Sequence, residues 1–196
     1  MKESNFSPQD SLKLIQDMID KTRQNMGDNS NQFLLWGWVS FAACIGEFLL
    51  KNVFHFEQHY LVWLLMFPAA LASILMSKKQ QRKAVAVTYL GESMQHLWIG
   101  MGISFFVLAM ILARLGAGTG TGVFPFYILL YGLGTFVTGK FLQFKPFVWG
   151  GLAAWVLAIT STFFGASYQM LFGGAAILIS YIIPAYLIRR KNTTIS

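Results

Sequence analysis

Six separate stretches of this chain are apolar for roughly 17 or 18 residues each, the length a helix needs to cross a bilayer core about 30 Å thick. They run from Phe33 to Leu50, Tyr60 to Met76, Leu97 to Ala113, Val123 to Gly139, Phe147 to Phe164 and Leu171 to Ile188. None alternates apolar and polar residues as a membrane strand must, so helix is the expected conformation. Composition agrees: 55% of the residues are hydrophobic and 12% charged, against about 25% charged in an average soluble domain. The expected fold is therefore all-α, an integral membrane bundle of six transmembrane helices preceded by a short cytoplasmic amphipathic helix. Residues 1–32 form that helix and a linker, 33–191 the six-span domain and 192–196 a cytoplasmic tail.

Charge sets the orientation. Thirteen of the 15 Lys and Arg residues fall on one side if all six stretches cross: Lys2, Lys13, Lys21 and Arg23; Lys78, Lys79, Arg82 and Lys83; Lys140 and Lys145; Arg189, Arg190 and Lys191. Lys51 and Arg114 remain for the other. The positive-inside rule then places both termini in the cytoplasm. Trp36, Trp98 and Trp149 stand near the cytoplasmic starts of the odd-numbered stretches, where an indole can bury its ring and keep its N–H wet. The net charge of +7 thus reads as topology and lipid contact, and no nucleic-acid partner is expected. The polar opening residues lack a basic segment followed by an apolar one, so no cleaved signal peptide is expected.

Before the first stretch, Ser7, Pro8 and Asp10 read as a helix start: a hydroxyl cap, a proline at the first helical position and an acid near the positive end of the dipole. Leu12, Ile15, Ile19, Thr22 and Met26 recur every three or four residues and form one apolar stripe. So short a helix needs a surface to cover that stripe. The membrane, the protein's own bundle, a partner protein or a second copy are the candidate covers, with Leu12, Ile15 and Ile19 as the partner-binding residues. The segment Ser7 to Phe41, SPQDSLKLIQDMIDKTRQNMGDNSNQFLLWGWVSF, resembles the opening of a group of small, uncharacterised multi-span bacterial inner-membrane proteins. That resemblance implies a bacterial inner-membrane setting and carries no activity, ligand or catalytic residue.

Glu47 is the one acidic residue inside a stretch, and an ionisable group there is a functional candidate. Lys51 follows at i+4 in the favourable order, so an interfacial ion pair is the plain expectation and a proton or cation site the sharper one. Beyond it, His55, Glu57 and His59 form a His-x-Glu-x-His pattern. On a helix His55 and His59 would share a face at metal-ligand spacing, without a third ligand and without the order of the metalloprotease motif. Glu92 and His96 stand at i, i+4 and can pair. Pro68 and Pro184 interrupt the second and sixth stretches and mark where transport helices would bend. Small residues at i+4 spacing, Gly150, Ala154, Ala158 and Thr162, with Ala42 and Gly46 on the first stretch and Gly100 and Ser104 on the third, allow close helix approach. Thr160, Ser161 and Thr162 are candidates for a polar pocket.

The glycines at 116, 118, 120 and 122 lack the spacing of a phosphate loop and read as a flexible connection. Cys44 is the single cysteine, so no intrachain disulfide can form. No catalytic set of acid, base and nucleophile is assembled in the sequence, and no cofactor motif. The expected function is therefore that of a non-catalytic partner-binding or accessory component of a membrane complex. The alternative is a small homo-oligomeric transporter or channel for a cation or small solute, built on Glu47, Pro68 and Pro184.

Overall fold

The computed structural model describes residues 9–18, 30–81, 89–116 and 122–193, and every regular element among them is helical. Helix α1 covers residues 9–18. It is followed by α2 (Ser30–Asn52), a 3-10 segment (His59–Leu65) running straight into α3 (Met66–Gln81), α4 (Tyr89–Arg114), α5 (Phe124–Phe141) and α6 (Lys145–Ser161). A last continuous helix is built from α7 (Ala166–Ile177), a π turn (Leu178–Ile182) and α8 (Ile183–Thr193). Four of the six apolar stretches lie within one of these helical runs; the stretch from Val123 begins one residue before α5, and the stretch to Phe164 ends three residues beyond α6. The caps Ser7 and Pro8, the stripe residues Ile19, Thr22 and Met26, and the basic pair Arg82 and Lys83 lie outside the described residues.

Local chemistry sets several boundaries. Prolines stand in the first turns of α5 and α6, where a missing N–H costs nothing. Between these helices the chain reverses in a Schellman turn: Phe144 N–H donates to Gly139 O at 2.9 Å and Gln143 N–H to Lys140 O at 3.2 Å. Gln143 takes the left-handed position of that turn, φ 49°, which is usually left to glycine. Pro184 has no N–H to offer the carbonyl of Ser180, and the helix widens into its π turn just before it. Pro68 falls in the first turn of α3, so it marks the change from 3-10 to α geometry and not a break within a helix.

Three helix pairs run antiparallel, as paired contacts show, while α5 and the last helix run parallel, Phe124 meeting Gly173 and Tyr131 meeting Tyr181. On α2 and the last helix, Gly37 meets Ile182 while Cys44 meets Gly173. On α4 and α5, Trp98 touches Tyr131 while Phe105 stacks on Tyr127. The tightest pair is α5 with α6, where Gly132 faces Trp155 and Gly151, and Gly139 faces Val148. Gly150 lies against the backbone of Ser180, and Ala154 and Ala158 pack with Ile128 and Ala176, so most of the small-residue stripe on α6 brings helices together. The corresponding pair on α4 does not. A Cβ at Gly100 would meet nothing within 4 Å, and Ser104 is exposed.

Four helical runs among the described residues are long and apolar enough to cross a membrane: Phe33–Asn52, His59–Lys78, Glu92–Arg114 and Ala166–Arg190. Helices α5 and α6, 18 and 17 residues long, are shorter. They are also the inner helices, burying Gly132, Thr135, Gly150 and Ala154 among others. By contrast α3 and α4 stand outside and present Phe67, Leu71, Ile103, Phe106 and Met110 outward. Apolar side chains turned out in such number fit a hydrocarbon solvent and not water.

Candidate functional site

The end of the bundle where α2 finishes holds a buried carboxylate. Glu47 is fully buried, 0% exposed, and the short connection after α2 folds the 3-10 segment back over it. Trp63 Nε1–H donates to Glu47 Oε2 at 2.6 Å, and His59 Nδ1 lies 3.1 Å from Glu47 Oε1. These two side chains, and not Lys51, the partner expected one turn on, bond its carboxyl group. His59 and Trp63 stand four apart in their own segment and reach one carboxyl group together, so both oxygens are satisfied by side chains 12 and 16 residues away. Such satisfaction is required, because an unpaired buried carboxylate is among the costliest groups a protein can hold.

The surroundings are apolar. Cys44, one turn earlier on the same face of α2, is 2% exposed and packs in a cluster with Phe124 and Met170, against which Trp63 and Phe48 also lie. The Trp63 ring stands 6.1 Å from that of Phe124. Nearby on α7, Gln169 donates Nε2–H to Phe164 O, and its Oε1 is buried without a hydrogen-bond partner.

His55 does not join His59. The chain between α2 and the 3-10 segment is not helical there; His55 has φ 52° and its Nδ1–H donates to Val53 O, its ring exposed. Among the described residues no group of three or more His, Cys, Asp or Glu gathers as metal ligands do. His96 likewise turns to a backbone acceptor, Glu92 O, and not to the Glu92 carboxylate. Thr160, Ser161 and Thr162 bond carbonyls of their own helix, Val156, Ala158 and Ile159.

Pro184 is fully buried beside the π turn. Pro68 lines an open apolar groove of about 420 Å³ between α2 and α3, with Trp38, Ala42, Ala69 and Ala72 on its walls. On α1, Leu12 is 67% and Ile15 54% exposed; Ile19 lies outside the described residues.

Two features were not anticipated from the sequence. Trp63 has an indole donor four residues after His59, a spacing that matches Glu47's two oxygens only once the connection is known to be tight. Trp98 turns into the bundle instead of marking its rim. Its ring touches Phe33, Tyr131 and Tyr181, with centroids 5.4–6.5 Å apart, and its Nε1 is buried without a hydrogen-bond partner, as are Tyr131 Oη and Ser180 Oγ. Comparison with models of known families, with curated proteins and with solved structures finds no match to this chain.

Proposed function

We propose that this chain is a six-span protein of the bacterial inner membrane, with both termini in the cytoplasm, acting as a non-catalytic component that binds a protein partner through α1. The observation that carries the reading is the exposed stripe of α1. Leu12 and Ile15 are more than half exposed, while the bundle fills its own core from α2, α5, α6 and the last helix. An apolar face at i, i+3 spacing is the form in which helix-in-groove recognition presents its anchors. The alternating charge pattern supports the orientation, because it puts α1 on the basic, cytoplasmic side.

The test is capture of the tagged full chain from native membranes in mild detergent, beside the variant Leu12→Glu with Ile15→Glu. A protein that co-elutes with the wild type and is lost with the variant supports the role. Identical co-eluting proteins from both, or lipid and self-copies alone, overturn it.

A second reading has its own observation. The burial of Glu47, with His59 as its partner, is the arrangement that intramembrane proton and cation carriers use. Under this reading the protein is a small homo-oligomeric transporter or channel, its subunits meeting through the outward faces of α3 and α4. Glu47→Gln would then abolish uptake into proteoliposomes, while the α1 variant would leave it unchanged.

A further inference from the structure

We propose that the Glu47–His59 pair is a proton-binding site that latches the 3-10 segment His59–Leu65 onto α2 and releases it when the pair takes up a second proton. The inference goes beyond both readings above, since it holds whether the protein binds a partner or carries a solute.

The donor chemistry restricts where a proton can go. An indole nitrogen only donates, so Glu47 Oε2 stays an acceptor for Trp63. Exchange therefore takes place across the 3.1 Å contact between Glu47 Oε1 and His59 Nδ1. With no added proton, a neutral imidazole donates Nδ1–H to the carboxylate. With one, the pair is either carboxylate and imidazolium or carboxylic acid and imidazole, and both are bonded and neutral overall. With two, an imidazolium faces an uncharged carboxyl group. The charge-assisted attraction is gone and a net positive charge sits beside a fully buried group. Uptake of the second proton therefore opens the latch, and its loss closes it.

Among the described residues, no other hydrogen bond ties a side chain of the segment to the bundle. None of its residues is buried, and seven residues is long for a 3-10 helix. It is preceded by His55 in the left-handed region. Beyond the two bonds to Glu47, its contacts with the bundle are apolar, among them Val62 against Gly46, Trp63 against the cluster of Cys44, Phe124 and Met170, and Leu65 in the groove beside α2. The other titratable groups on the surrounding elements are Cys44 and Lys51 on α2, Tyr60 in the segment, Tyr127, Tyr131 and Lys140 on α5 and Tyr168 on α7. None of them bonds either oxygen of Glu47, and His55 and Glu57 lie in the exposed connection.

The experiment uses the full chain in lipid nanodiscs, as wild type, Glu47→Gln and His59→Gln. Infrared difference spectra from alkaline to acid pH read the carbonyl stretch of protonated carboxyl groups. Hydrogen exchange of the His59–Leu65 peptide, compared between proteins at the same pH, reads opening. We expect one protonated-carboxyl band to be absent from Glu47→Gln. We also expect acid to raise exchange of the segment in the wild type about tenfold over His59→Gln, whose amide keeps the bond but cannot charge. Equal exchange in those two proteins at acid pH overturns the latch. An unchanged carboxyl band in Glu47→Gln overturns the site. If Glu47→Gln does not fold, the His59→Gln comparison decides alone.

Discussion

At the scale of single residues, this protein spends its polar groups sparingly and satisfies most of them within reach of their own helix. Thr135 and Thr138 bond carbonyls one turn back on α5, and Ser161 does the same on α6. Glu47 is an acidic exception, since both its partners come from another element, as the acceptors of Trp36 and Trp155 also do. Replacing it separates the bond from the charge. Glu47→Leu leaves the Trp63 N–H and the His59 ring facing an apolar group and should cost about 1–3 kcal/mol, whereas Glu47→Gln keeps an acceptor and should cost less. Thermal unfolding in one detergent, monitored by intrinsic fluorescence, gives the order, and equal losses would refute it. Glycines supply a second contrast. A Cβ at Gly139 would lie 2.5 Å from Val148 N, and one at Gly150 2.7 Å from Ser180 Cα. Backbone cannot step aside as a side chain can, so Gly139→Ala and Gly150→Ala should each lose about 1–3 kcal/mol. At Gly100 and Gly102 nothing lies within 4 Å, and alanine there should be neutral or stabilising by up to about 1 kcal/mol.

At the scale of elements, the helices were legible and their faces were not. An apolar run of bilayer length fixes helix and approximate bounds with no tertiary knowledge, which is why the stretch Tyr60 to Met76 matches a helical run from His59 to Gln81. What a run of apolar residues cannot encode is which side meets protein and which meets lipid, because both are apolar. Gly100 and Ser104 carry the same small-residue spacing as Gly150 and Ala154, yet the first pair faces outward and the second is buried. The same blindness hid the inward turn of Trp98. Glu47 was visible as a candidate; its partners were not, because pairing across a connection depends on the path of residues 53–58, where His55 takes a backbone conformation the sequence does not announce. Helix α1 exposes Leu12 and Ile15 on a helix that also carries Asp10, Lys13 and Asp17, and this gives it a separable role. Changing Leu12 and Ile15 to Glu should leave the thermal unfolding of the bundle in detergent within about 0.5 kcal/mol of wild type while removing the captured partner. A large loss of stability would mean that the stripe packs on the bundle itself.

At the scale of the whole molecule, the question is how α5 and α6 relate to the bilayer. Eighteen residues of helix reach about 27 Å, slightly less than the hydrocarbon thickness, so length alone permits either two crossings or a hairpin that enters and leaves on one side. The basic residues of the termini do not distinguish these, since removing two crossings together leaves Arg189, Arg190 and Lys191 on the same side as Lys78 and Lys79. The packing bears on the choice. Leu142 and Phe144, at the turn between α5 and α6, lie in one cluster with Met94 near the start of α4 and Ile188 near the end of α8, while Phe124, at the other end of α5, lies with Cys44 and Met170. The hairpin therefore runs the full distance between the two ends of the bundle. Lys140 and Lys145 flank its turn and are both exposed, the first with its ammonium 5.6 Å from the Phe136 ring centroid, and two exposed lysines are costly anywhere but at an aqueous boundary. In a Cys44→Ala background, single cysteines at positions 55, 78, 143 and 163 resolve the matter with a membrane-impermeant maleimide. Positions 55 and 163 should label on intact cells, and 78 and 143 only after the membrane is permeabilised. Position 143 carries the weight: labelling there from outside would make α5 and α6 a re-entrant hairpin and the protein four-spanning, with the positive-inside bias resting on its other loops.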